Sequence, residues 1–113
     1  MPQRGEIVLV PVPFTDLSSN RRRPVIVISN DDYQKTTQDM IVVAMTSNPA
    51  NVPYSFVIDT LDLEKGALNR PGKVRVDKIY TLSQRLVAAT FGKVKEDVLV
   101  RIRNELDELT KKI

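Results

Sequence analysis

The chain has 113 residues, with 17 Lys and Arg against 14 Asp and Glu for a formal charge of +3, and it contains no His, Cys or Trp. Those absences remove thiol nucleophiles, imidazole acid-base chemistry, disulfide frameworks and the His/Cys zinc motifs. With 42% hydrophobic and 27% charged residues it has ordinary globular composition, so residues 1–113 read as a single domain rather than a disordered tail or fibrous repeat.

No apolar run approaches the roughly 20 residues of a membrane span, and Met1 to Gly5 lacks a signal-peptide core. A cytoplasmic protein with no membrane partner is expected. A margin of three positive charges is by itself a weak pointer to a polyanion.

In chain order, Glu6 to Val12 is β-branched and closes on Pro11 and Pro13, which reads as an edge or terminating first strand. Phe14 to Arg23 is a polar loop, and Pro24 introduces the buried strand VIVIS. Asn30-Asp31-Asp32 breaks that strand, and residues up to Asp39 read as a polar loop. Met40 to Ser47 and Tyr54 to Ile58 are the next strands, followed by a long connection from Asp59 to Gly72.

Lys73 to Leu82 alternates, with Val74, Val76 and, after a slip, Ile79 on one face and Arg75 and Asp77 on the other. Ala88 to Val94 is a further strand with Gly92 as a bulge. Only the end reads as helix: Val98, Ile102, Leu106, Leu109 and Ile113 recur at three- or four-residue steps, with Leu99 widening the stripe. The expected fold is mainly β (α+β), a small, strongly bent antiparallel barrel capped by a C-terminal amphipathic helix.

Pairing VIVIS antiparallel with MIVVA sets Ile28 against Ile41 and Pro24 against Met45, which brings Arg23 beside Thr46. Pro24 also holds Arg23 extended, and Ser47 adds a second hydroxyl. Arg75 and Asp77, two apart on one strand face, can pair. Guanidinium groups and hydroxyls suit RNA cleavage, because the ribose 2′-hydroxyl supplies the nucleophile and the protein positions it and stabilises charge. Such chemistry demands no metal and no cofactor.

An Asp beside an Arg is a feeble base and an Arg a reluctant acid, so electrostatic stabilisation is expected to outweigh proton transfer. Each element also has a plainer reading. An Arg-Arg-Arg run before a strand serves as a solvated gatekeeper, and an Arg-x-Asp pair is commonly a surface ion pair. These residues alone leave the choice open.

Together the segments resemble the MazF/PemK family of toxin endoribonucleases, along nearly the whole chain and in the family's order. The resemblance rests on RGEIVLV at Arg4 to Val10, RRPVIVISND at Arg22 to Asp31 and VVAMTS at Val42 to Ser47. VRVDKIYTL at Val74 to Leu82, RLVAATFGKV at Arg85 to Val94 and the helix from Glu96 continue it. It implies an SH3-like barrel, a homodimer, and metal-independent cleavage of single-stranded RNA such as mRNA at short motifs, leaving 2′,3′-cyclic phosphate and 5′-hydroxyl ends.

By position it makes Arg23 and Thr46 the catalytic pair, and in the PemK/Kid branch it gives Arg75 and Asp77 acid and base roles. Ser18, Asn20, Arg21, Arg22 and Ser47 are the further residues expected to contact RNA. A cognate antitoxin with an acidic disordered tail is the expected protein partner.

The family's G-[SH]-E-Q loop segment is replaced here by DLSSNRRRP, with Ser18 where the glutamate falls, so the cleavage motif does not carry over. Two non-catalytic readings stay open on the same fold. One is a CcdB-like gyrase inhibitor, against which the Lys-Lys-Ile ending without Trp counts; the other is a degenerate nucleic-acid-binding barrel.

Overall fold

The computed structural model describes residues 1–12 and 21–113. Its seven strands are β1 (Glu6–Pro11), β2 (Arg22–Val27), β3 (Asp39–Thr46), β4 (Ser55–Ile58), β5 (Leu63–Gly66), β6 (Gly72–Ser83) and β7 (Ala89–Val94). They form one curled antiparallel sheet in the order β4-β6-β3-β2-β1-β7-β5. A short helix α1 (Asp31–Thr36) joins β2 to β3, and the amphipathic helix α2 (Glu96–Thr110) follows β7. The expected fold class, mainly β with a C-terminal helix, is the one observed.

The central strands carry unbroken apolar runs because both of their faces are buried. On one face Ile7, Ile26, Val43, Met45, Val74 and Val76 pack with Val98, Leu99 and Ile102 of α2. On the other Val8, Val10, Val25, Val27, Met40 and Val42 close around Leu82 and Leu86. Arg101 lays its guanidinium 4.2 Å from the centre of the Phe56 ring, fastening α2 over β4.

Several local expectations are corrected. β1 is interior, between β2 and β7, although its ladder to β7 stops at Leu9, short of Pro11, while pairing with β2 runs on to Pro11. β2 starts at Arg22 rather than after Pro24, since Pro24 lies opposite Leu9 within a ladder that its fixed φ tolerates. Pro13 lies outside the described residues.

The polar stretch after Asn30 is helical, not loop. Asn30 accepts a hydrogen bond from the Tyr33 amide at 2.9 Å, and Asp31 and Asp32 stand in the first turn, so the strand-breaking residues are also a helix cap. Gln34 is buried and donates to the Ser29 carbonyl at 2.9 Å. Six residues with one buried polar side chain carry no apolar period, which is why pattern alone hides them.

The connection from Asp59 to Gly72 contains a 3₁₀ turn at Thr60–Asp62 and β5. Asp59 accepts from the Leu61 amide and Asp62 from the Asp59 amide, both at 2.9 Å, a reciprocal cap that launches β5 along β7. Gly66, at φ +86°, lies opposite Gly92; a Cβ there would come 2.5 Å from the Phe91 carbonyl oxygen, so no larger residue fits. The expected bulge is present beside Gly92, where Ile7 pairs Gly92 and Val8 pairs Thr90, leaving Phe91 as the extra residue.

β6 breaks its register against β3, with Val43 opposite Ile79 and Ala44 opposite Arg75. Val76, Asp77 and Lys78 are the inserted residues, so Ile79 does not join Val74 and Val76 in the core and is 41% exposed. Ile113 likewise lies beyond the end of α2 and is exposed. Ile26→Ala is therefore expected to destabilise the fold by about 2–5 kcal/mol in denaturant unfolding. Ile79→Thr, at a position whose sequence suggests core, should shift stability by no more than about 0.5 kcal/mol.

Candidate active site

β2 and β3 pair in the register counted from the sequence: Val25 faces Ala44, Ile26 faces Val43 and Val27 faces Val42. Two more steps bring Arg23 level with Thr46, the last residue of β3. Both side chains, with Arg22 and Ser47, line one cavity of about 230 Å³ at this end of the sheet.

Arg23 is exposed, and its guanidinium makes no side-chain hydrogen bond or ion pair with the described residues. The Thr46 hydroxyl accepts from the Asn48 amide at 3.1 Å. A hydroxyl carries two lone pairs and one proton, so this bond orients Thr46 and leaves its O–H to donate. A cation with five donors and an oriented hydroxyl at one mouth fit the oxygens of a phosphodiester.

Lys73, opposite Thr46 on β6, was not singled out by sequence, yet it is one of two buried polar or charged residues among those described. Its ammonium donates to the carbonyl oxygens of Pro49 and Ala50. Ala50 in turn donates its amide to the Asn48 side chain at 3.0 Å. The turn that orients Thr46 is thus pinned from beneath by a buried cation. Its sequence signal was only its place two residues before Arg75, on the same strand face.

Arg75 and Asp77 do form a pair. Nε and Nη2 of Arg75 donate to the two carboxylate oxygens at 2.8 and 2.7 Å. They do not line the Arg23–Thr46 cavity. Arg75 stands opposite Ala44, two residue pairs before Thr46 on β3, so the ion pair shares the face of Arg23 and Thr46 but sits one strand away. Hydrogen bonding from Arg75 holds the Asp77 carboxyl below the usual carboxylate range, while the same bond pushes the Arg75 guanidinium further up.

Arg21 precedes β2 and is not part of the cavity; its carbonyl accepts from the Val12 amide at 3.1 Å. Ser18 and Asn20 lie outside the described residues. Leu68, Arg70 and Phe91 complete the cavity, and sequence reasoning missed them. They come from the connection before β6 and from β7, far apart in the chain, and no short motif joins them. Among the described residues no group of three or more acidic side chains could hold a metal ion.

The Asp77 shift has a defined sign. A carboxyl whose folded pKa is lowered contributes stability above its unfolded value, near about 3.9, and loses it as pH falls through the folded value. Carboxyl NMR titration should place the Asp77 midpoint below that of an exposed Asp, and Arg75→Met should raise it. An unmoved midpoint would remove the pairing from solution.

The sequence profile described as "PemK-like, MazF-like toxin of type II toxin-antitoxin system" matches residues 3–110. Endoribonuclease MazF of Staphylococcus epidermidis is 26% identical over 110 residues, covering 95% of this chain and 89% of the relative. A MazE-MazF crystal structure (Form-III) from Deinococcus radiodurans is 26% identical, with a TM-score of 0.76 over 96% of this chain and 94% of that one. An endoribonuclease in complex with its cognate antitoxin, from Mycobacterial species, is 21% identical, with a TM-score of 0.71 over 96% of this chain and 93% of that one. The order of strands, the terminal helix and a profile match from near the first residue to near the last agree: this chain belongs to the PemK-like, MazF-like toxin family of type II toxin-antitoxin systems.

Proposed function

We propose that this chain, an endoribonuclease of the MazF family, cuts single-stranded RNA at a phosphodiester held between Arg23 and Thr46. The ribose 2′-oxygen attacks phosphorus and the bond from phosphorus to the 5′-oxygen breaks. The 2′-proton leaves to solvent and the departing 5′-oxygen takes up a proton. The products carry a 2′,3′-cyclic phosphate and a 5′-hydroxyl. The nucleophile belongs to the substrate, so the protein's part is placement and charge stabilisation.

The observation that carries this reading is the pairing register that sets a cation and an oriented hydroxyl at the mouth of one cavity. Arg23 grips the non-bridging oxygens through parallel donors, and its charge gains value as phosphorus becomes pentacoordinate and more negative. Thr46 donates to the same group. Asp77, kept ionised and bound at both oxygens by Arg75, orients that guanidinium rather than collecting the 2′-proton, and Arg75 offers its remaining donors on the same face.

Arg21, Arg22, Ser47, Ser18 and Asn20 belong to the proposed RNA-binding set, the first two as phosphate contacts. The partner is a cognate antitoxin whose acidic segment occupies the RNA cleft, and the working unit is a homodimer. Family membership and the antitoxin-bound relatives support the antitoxin partner.

Purified protein incubated with a long RNA in chelator should cut it, leaving cyclic-phosphate and 5′-hydroxyl ends. Arg23→Ala and Thr46→Ala should each lose about 10²- to 10³-fold in rate with the fold intact by circular dichroism. Arg23→Lys should recover little, because a point charge does not replace a planar fork. Undiminished cutting in the Ala variants, or 5′-phosphate ends, would overturn the reading.

Salt dependence tests the arginine run separately. Binding of single-stranded RNA should lose about 0.7 from the log–log salt slope for each of Arg21 and Arg22 replaced by Ala. An unaltered slope in the double variant would take them out of the interface.

A further inference from the structure

The cavity beside Arg23 and Thr46 has apolar walls in Met45, Leu68 and Phe91 that phosphate contact alone leaves unused. We propose that it is a nucleobase subsite, taking in the base adjacent to the phosphodiester held at its mouth, with Phe91 as stacking platform, Leu68 as opposing wall and Arg70 at the rim. This deepens the endoribonuclease reading and rests on it.

Its position beside Arg23 and Thr46 singles this cavity out. Among the described residues Arg22, Arg23 and Arg70 line it and no carboxylate does, so a polyanion is drawn to it. A roomier cavity of about 630 Å³ carries Asp31, Glu64 and Glu96 among its lining, and its location beside α2 takes it away from Arg23 and Thr46. At about 230 Å³ the space is below that of common drug-sized pockets, which suits a single ring system.

The walls are held in place. Leu68 is clamped by Thr60, whose hydroxyl accepts from the Leu68 amide at 2.9 Å and donates to its carbonyl at 3.2 Å. Phe91 is the extra residue of the β7 bulge, a device that re-aims a side chain, and the Gly66–Gly92 contact fixes the bulge from behind. Gly72 also lines the cavity, and a Cβ there would lie 2.8 Å from the Met45 methyl carbon, at the end of a flexible side chain. A slot between an aromatic ring and an aliphatic wall accepts a base by its faces, and an arginine at the rim can read its edge. Three elements distant in sequence thus build a site that prefers a planar ring next to a phosphate.

Two arms test this. In NMR titrations with nucleoside 5′-monophosphates, amides of Leu68, Arg70 and Phe91 should shift together with those of Arg23 and Thr46; ribose 5-phosphate should move only the latter pair. Equal responses to both probes, or none at Leu68 and Phe91, would overturn the subsite, and this arm needs no cutting.

In the second arm, cut ends are mapped on randomised RNA. Leu68→Trp, which fills the slot, and Phe91→Leu should keep the same end chemistry, with the fold intact by circular dichroism. Both should lose the preference at one nucleotide flanking the cut, by about 5- to 150-fold for the favoured base. A retained preference would overturn the subsite. Undiminished cutting by Arg23→Ala would instead sink the Arg–Thr reading and leave the NMR arm to judge the pocket.

Discussion

The register between β2 and β3 is the constraint on which the candidate site depends. A slip of one residue would turn Arg23 to the opposite face from Thr46 and exchange the two apolar layers. Hydrophobic alternation does not prevent such a slip, because Val25, Ile26 and Val27 are all buried. The end nearest α1 prevents it. The Ile28 amide donates to the Ile41 carbonyl at 2.9 Å, and the Ser29 hydroxyl accepts from the Ile41 amide at 2.9 Å. Gln84 then donates to the carbonyls of Gln34 and Asp39, both at 2.9 Å, locking α1 to the end of β6. A clamp at one end of the ladder therefore sets which side chains meet at the other.

The far end is shaped by a different balance. Lys73 is only 7% exposed and gives its protons to the carbonyls of Pro49 and Ala50. Burying an ammonium without a carboxylate is costly unless carbonyls surround it, and here they belong to the turn that follows Thr46. That arrangement leaves positive field at the rim, whereas a carboxylate in the same place would cancel it. Arg75 shows the opposite solution, neutralised in a bidentate pair and oriented by it. Arg23, Lys73 and Arg75 thus show three environments for a cation on neighbouring strands: exposed, buried among carbonyls, and paired.

Much of this was legible in the chain. The apolar runs located the central strands, the three- and four-residue recurrence located α2, and antiparallel counting gave the β2–β3 register observed. Arg23, Thr46 and the Arg75–Asp77 pair could be named because each lies near a strand residue whose position is set by short-range rules of pairing and alternation. α1 and β5 were not legible. One is capped by the residues that also signal a strand break, and the other is a short edge strand of largely exposed residues whose partner is thirty residues away.

The sequence by itself therefore determined the class of fold, the family resemblance and the juxtaposition of a cation with a hydroxyl, all of which follow from local pattern and one hairpin-like pairing. Only the tertiary structure decided that Ile79 leaves the core, that Lys73 supports the turn after Thr46, and that Leu68, Arg70 and Phe91 close a cavity around the site. The reason is physical. Register breaks, reciprocal caps and glycine-permitted backbone contacts depend on where distant segments meet, and no periodicity within a single segment records that meeting.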